Sequence, residues 1–247
     1  MNRPQGDPPV TRRQAAGLVV RAAAHAALWL GAWPGIASMV FVPEAWSRIN
    51  SSHNHRNPKN TMTTSSAPVD PYRLPRHVFP TYYDLRMEPD LQSHSFTGHE
   101  IVTLTVTEPT TDILLNATDL EISAATLSDE GHPPRTGTIR MDEEHQRCHI
   151  TFPSVIPPGV WKLSLAFRGT LNDKLRGFYR SSYKDDRGTA HTLAATQFEA
   201  TDARRAFPCW DEPHFKAVFA VTLAIDPALT AISNTRIVDD RLEGGKR

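Results

Sequence analysis

The chain has 247 residues, enough for one or two domains. Its 27 Lys and Arg balance 27 Asp and Glu, which leaves no electrostatic case for binding nucleic acid or an anionic membrane surface. Two cysteines, Cys148 and Cys209, are too few for a disulfide framework, and 20 prolines against 13 glycines suit a β-rich domain with stiff turns.

Residues 1–70 read as an N-terminal extension, mostly disordered or hydrophobic. Arg3, Arg12, Arg13 and Arg21 precede a run from Ala22 to Val42 that carries no formal charge. That run approaches the roughly 20 residues a membrane span requires. It is alanine-rich, however, and is broken by Gly31, Pro34 and Gly35. A signal peptide cleaved near Ala37-Ser38, an uncleaved anchor, an Arg-rich transit peptide and a mistaken upstream start all fit. The last is preferred, because Met62-Thr63-Thr64-Ser65 reads as a natural N-terminus after a polar Ser/Thr/Asn-rich stretch. A cytoplasmic chain follows, with a membrane-anchored or secreted one if residues 1–42 are genuine. Membrane contact could come only through residues 22–42. Sequons at Asn50-Ser51-Ser52 and Asn116-Ala117-Thr118 matter only for a secreted chain.

From Tyr72 onward, strand follows strand. Alternation over 81–87 puts Tyr83 and Leu85 on one face, and 98–106 does the same with Val102, Leu104 and Val106. Residues 112–115 and 120–127 form two more strands, followed by a loop at Gly131-His132-Pro133-Pro134-Arg135. A strand over 147–152 turns at Pro157-Pro158-Gly159 into 160–169, where Leu163, Leu165 and Phe167 alternate. Strands over 215–225 and 231–238 complete the set. Short strands with frequent turns and no amphipathic helical period predict an all-β fold, an antiparallel sandwich or saddle.

Between these strands lies Thr196-Gln197-Phe198-Glu199-Ala200-Thr201-Asp202-Ala203-Arg204-Arg205-Ala206-Phe207-Pro208-Cys209-Trp210-Asp211-Glu212-Pro213. It begins as a strand with Leu193, Ala195, Gln197 and Glu199 on one face, then becomes a Pro-punctuated turn. Pro208 and Pro213 hold the residues before them extended. A loop that combines two prolines, bulky aromatics and several charges should be tightly packed with its ions paired. On physical grounds alone it is a structural corner, since it contains no nucleophile–base pair and no ligand cluster.

This stretch resembles the signature near the end of the N-terminal domain in zinc aminopeptidases of the gluzincin class. The resemblance extends to Tyr72-Arg73-Leu74-Pro75, Pro80-Thr81-Tyr82-Tyr83-Asp84-Leu85 and Gly177-Phe178-Tyr179-Arg180-Ser181 upstream. Lys216-Ala217-Val218-Phe219 and Ala231-Ile232-Ser233-Asn234 continue it downstream. It covers roughly 71–238 and implies that residues 71–247 are an aminopeptidase N-terminal β-domain. The terminal run Asp239 to Lys246 would be a family hairpin with more strand to follow, so the chain reads as C-terminally incomplete. The resemblance implies that Glu199 binds the free α-amine of a peptide and that Gln197 lines the pocket for its first side chain. A partly desolvated carboxylate recognises a terminal ammonium through a charge-assisted hydrogen bond. Asp202, Arg204, Arg205, Asp211 and Glu212 are assigned to structure, as ion pairs bracing the loop that holds Glu199.

The family also requires zinc, held by H-E-x-x-H on a helix, where two His one turn apart share one ion. The sequence contains neither that motif nor the family's G-A-M-E-N. His99-Glu100 is followed by Thr103 where the second His should stand, and His145-Gln146-Arg147-Cys148-His149 has Gln in place of the base. In a strand, moreover, the last two His would be about 13 Å apart. No catalytic or metal residue is therefore assigned to this chain, and zinc is expected only in a full-length enzyme. Three functions remain: the front end of a zinc aminopeptidase, inactive alone; a non-catalytic β-sandwich for binding or scaffolding; and a bifunctional epoxide hydrolase/aminopeptidase relative.

Overall fold

The structure is a computed structural model that describes residues 73–247 and the backbone of one earlier strand, β1 (Val20–His25). The remaining part of the extension, including the 26–42 portion of the apolar run and the Met62 start, lies outside the described residues. Eleven further strands follow: β2 (Val78–Asp90), β3 (Ser95–Val106), β4 (Thr110–Asn116), β5 (Leu120–Ser128), β6 (Arg135–Thr136), β7 (Thr138–Asp142), β8 (Arg147–Ile156), β9 (Gly159–Thr170), β10 (Gly177–Lys184), β11 (Ala190–Gln197) and β12 (Val218–Leu223). One short 3-10 turn, η1, spans Ala203–Arg205. The all-β expectation holds.

The strands form a seven-stranded sheet ordered β1-β12-β2-β3-β9-β5-β6, a three-stranded sheet β4-β8-β7 and the hairpin β10-β11. Period-two alternation explains how the larger sheets meet. Tyr83, Leu85 and Met87 on β2, Val102, Leu104 and Val106 on β3, and Leu163, Leu165 and Phe167 on β9 are all buried. Ile113 and Leu115 on β4 and Ile150 and Phe152 on β8 belong to the same continuous core. Each such side chain contributes roughly 1.5–3 kcal/mol by leaving water, and together they make a sandwich.

Several details differ from the sequence reading. β12 runs parallel to β2, Val218 pairing with Tyr82 and Leu223 with Met87, so the large sheet is mixed rather than wholly antiparallel. The expected strand over 231–238 does not form, and Ile232 and Val238 are 89% and 60% exposed. The strand before it, β12, already has β1 on one side and β2 on the other. Within the extension, β1 adds an antiparallel strand, Val20 pairing with Leu223. The loop at 131–135 is followed by β6 and β7, whose few apolar positions, Ile139 and Met141, are too short a run for periodicity to reveal. Among the described residues no helix is long and apolar enough to cross a membrane.

Candidate functional site

The motif stretch begins on β11, whose register with β10 pairs Gly177 with Gln197 and Lys184 with Ala190. The strand stops at Gln197, and Phe198 turns inward to meet Phe207 edge-on at 5.9 Å. The amide of Asp202 then donates to the carbonyl of Phe198 at 2.9 Å, closing a turn that carries Glu199 at its second position. The Glu199–Ala200 peptide is cis. Glu199 therefore lies beyond the strand and does not share a strand face with Gln197, contrary to the alternation read from the sequence. Phe198, between them, packs against the core, and strand pairing ends at Gln197. Both Glu199 and Gln197 are exposed.

Beyond the turn the loop is packed as its composition requires. Ala206, Phe207, Cys209 and Trp210 are all buried. Phe207 meets Tyr83 and Phe219 edge-on, each at 6.1 Å, and Tyr83 stacks on Phe219 at 4.4 Å. Edge-to-face and offset pairs at such separations add roughly 0.5–1.5 kcal/mol each to their burial. The backbone of Cys209 is hydrogen-bonded in both directions to Asn116, at 2.7 and 2.9 Å, and the amide of Trp210 donates to the Tyr83 hydroxyl at 3.4 Å.

The loop's charges are paired, as expected. The Arg204 Nε donates to Asp211 Oδ2 at 2.9 Å, and both side chains are largely buried. Arg205 binds Asp202 at 2.7 Å and reaches Asp119 in the β4–β5 turn. These two carboxylates hold the Arg205 guanidinium above its usual range, against the opposing effect of its partial burial. Glu212 accepts the amide of Leu74 at 2.5 Å and pairs with Arg73 at 3.6 Å. An open cleft of about 310 Å³ beside the loop is lined by Gln146, Arg147, Thr201, Arg204 and Glu212. Glu199 and Gln197 stand outside its lining.

Two positions that brace this loop escaped the sequence reading. Gly177 adopts φ +67°, and a Cβ there would lie 2.6 Å from the Cβ of Arg205, so only glycine lets β10 pass beneath η1. The Gly-Phe-Tyr-Arg run was visible, but nothing local marks the close approach. Asn116, which stood out only as a sequon, is 4% exposed. Its Oδ1 accepts the amide of Asp211 at 3.2 Å, and Thr118 is buried beside it, so the side chain is a strut of the loop and closed to modification.

The two His pairings read from the sequence also resolve. His99 and Glu100 point to opposite faces of β3. His99 Nε2 lies 3.0 Å from the Ser164 hydroxyl, whereas Glu100 is wholly buried. His145 sits in the turn between β7 and β8, not in a strand as expected, and this turn brings both imidazoles to one carboxylate. Its Nδ1 lies 3.0 Å from Asp142 Oδ2, with His149 Nε2 at 3.9 Å from the same atom. Among the described residues no group of three or more His, Cys, Asp or Glu is placed to hold a metal ion. Burial pushes the Cys148 thiol up to about 12 and raises Cys209 well above its ordinary value, which disfavours the reactive thiolate at both.

Fold and loop together define a β-sandwich domain with an aromatic, ion-paired corner that presents one carboxylate to solvent. The peptidase M1 N-terminal domain family matches residues 79–246, and the chain belongs to that family. It is 43% identical over 172 residues to aminopeptidase M1-D of Oryza sativa subsp. japonica and 42% identical over 178 residues to aminopeptidase M1 of Arabidopsis thaliana. With puromycin-sensitive aminopeptidase of Caenorhabditis elegans it shares 42% over 176 residues. These alignments take in 70–71% of this chain and 19–20% of each relative, so the chain spans about a fifth of the length of the curated relatives it matches.

Proposed function

We propose that the chain is the N-terminal domain portion of a zinc-dependent aminopeptidase and contributes the group that recognises the peptide's α-ammonium. Glu199 is that group, and Gln197 borders the pocket for the first side chain. One observation carries the assignment. Asp202, Arg204, Arg205, Asp211 and Glu212 are all engaged in ion pairs, whereas Glu199 is exposed and has no hydrogen-bond or ion-pair partner among the described residues. A loop that neutralises each of these charges but leaves one carboxylate free in a pinned turn is built to present that carboxylate. Once a catalytic portion covers it, the partial loss of water strengthens its charge-assisted bond to an ammonium.

The bracing serves position. A recognition group displaced by about 1 Å can lose two orders of magnitude in rate, and Arg205 ties the turn to β4–β5 while Gly177 seats η1 on β10. Zinc, where the family's motif supplies ligands, would polarise the scissile carbonyl and activate water. No residue of this chain is assigned to it, and the chain alone is proposed to be inactive. The substrate class is peptides with a free N-terminus, with no nucleic-acid partner. The chain is placed in the cytoplasm.

The test is kinetic. In a longer chain that includes the catalytic portion, Glu199→Ala is expected to raise KM and lower kcat on aminoacyl amides. Losing one charge-assisted hydrogen bond of about 1.5–3 kcal/mol corresponds to roughly a 10- to 150-fold fall in kcat/KM. Kinetics identical to wild type would remove Glu199 from the site.

A further inference from the structure

Behind the motif loop, the core holds a carboxyl group that no part of the fold uses. Glu100 lies at the middle of β3, opposite Leu85 on β2 and Leu165 on β9, with an exposure of 0%. Neither of its carboxyl oxygens has a hydrogen-bond partner among the described residues. Titratable groups face it from two elements, the Tyr83 hydroxyl from β2 and the Cys209 thiol from the loop. Asp211 lies farther out and is already paired with Arg204. β9 meets it with Leu165, and no described cation pairs with it. Burial alone pushes its carboxyl well above the ordinary 4.5, and burial, with the nearby Cys209 and Glu100, also raises the Tyr83 hydroxyl.

A second orphan lies in the same layer: the buried indole Nε1 of Trp210 also has no partner among the described residues. The Trp210 amide rests on the Tyr83 hydroxyl, the group Glu100 faces. We propose that Glu100 is a pH-sensitive latch, holding the 206–211 segment docked on the sheet while it is a neutral acid and releasing that segment when it ionises. The reason is mechanical. An ionised carboxylate in this position must reach water or a cation. β3 is paired along nearly its whole length with β2 on one side and β9 on the other, so the sheet cannot open locally. The segment covering Glu100 has no strand partner beyond the two-way bridge of Cys209 to Asn116, so it can move off the sheet without breaking a strand ladder.

The sign follows from linkage. The folded chain keeps the proton that the unfolded chain releases above about 4.5, so this contribution to stability is complete below that pH. It is then lost by about tenfold in the folding equilibrium constant per pH unit, until the raised folded value is reached. Presentation of Glu199 would weaken over the same range; that consequence alone rests on the function proposed above.

The experiment uses the 247-residue chain and its Glu100→Gln variant, which mimics the neutral acid. Equilibrium unfolding at pH 5 to 8 should show wild-type stability falling relative to the variant by up to about tenfold per pH unit. Amide exchange should show protection at Cys209 and Trp210 falling with pH in wild type, relative to the variant, ahead of the β3 amides. Parallel stability curves would overturn the proposal, as would protection lost uniformly across the sheet. Should Glu100→Gln fold poorly, a carbon-13 titration of the wild-type side chain decides the matter, and a Glu100 carboxyl that titrates near 4.5 rejects the latch. None of these measurements involves Glu199, so this inference and the recognition role fail separately.

Discussion

The 198–217 loop and the 226–247 run are both long stretches of this domain with little regular structure, yet their side chains meet opposite fates. In the first, Phe207, Cys209 and Trp210 are buried and the ion pairs are largely shielded. In the second, Ile232, Val238 and Leu242 are 89%, 60% and 69% exposed, and Arg241 pairs with Asp239 and Glu243 at about half exposure. Irregular backbone is therefore held by what its side chains reach. An aromatic residue that reaches Tyr83 and Phe219 anchors a loop; an isoleucine with no surface to cover anchors nothing.

Matched substitutions in the two stretches should break this contrast if it is mistaken. The largest effect is expected at Trp210, where truncation to Ala should destabilise the chain by about 3–5 kcal/mol in denaturant unfolding. Ile232→Ala should stay within about 0.5 kcal/mol, and equal losses would mean that the exposed run is packed after all. Next come the charges. Arg204→Ala leaves Asp211 poorly solvated and should cost about 2–3 kcal/mol, with little response to salt. Arg241→Ala should cost below about 1 kcal/mol, less still at high ionic strength.

The smallest contrast concerns two glycines with positive φ. Gly177 has φ +67° and Gly244 φ +58°, so alanine at either site pays a conformational penalty of about 1 kcal/mol. Only at Gly177 would the new methyl group strike Arg205; nothing lies within 4 Å of a Cβ at Gly244. Gly177→Ala should therefore lose about 2 kcal/mol or more, and Gly244→Ala about 1 kcal/mol. Similar Tm shifts in the two variants would show that η1 can move away from β10, and the bracing of Glu199 would then be looser than the packing suggests.

Alternation alone was enough to place the inward faces of β2, β3 and β9, because a pleat with period two leaves no other choice for Tyr83, Leu85, Val102, Leu104 or Leu165. Composition was likewise enough to foretell a packed, ion-paired corner at 206–212, since two prolines, a tryptophan and opposite charges in one short loop cannot all remain solvated. Pairing partners were beyond its reach. The parallel contact of β12 with β2, the missing strand at 231–238 and the strut role of Asn116 depend on which edges and donors other segments occupy. The same holds at Glu199, where strand pairing stops at Gln197, and at Glu100, which alternation places on the inward face of β3 but whose lack of a partner depends on what distant segments bring to it. Local preference acts over a few residues, whereas edges, cavities and orphaned groups arise only when distant segments compete for the same space.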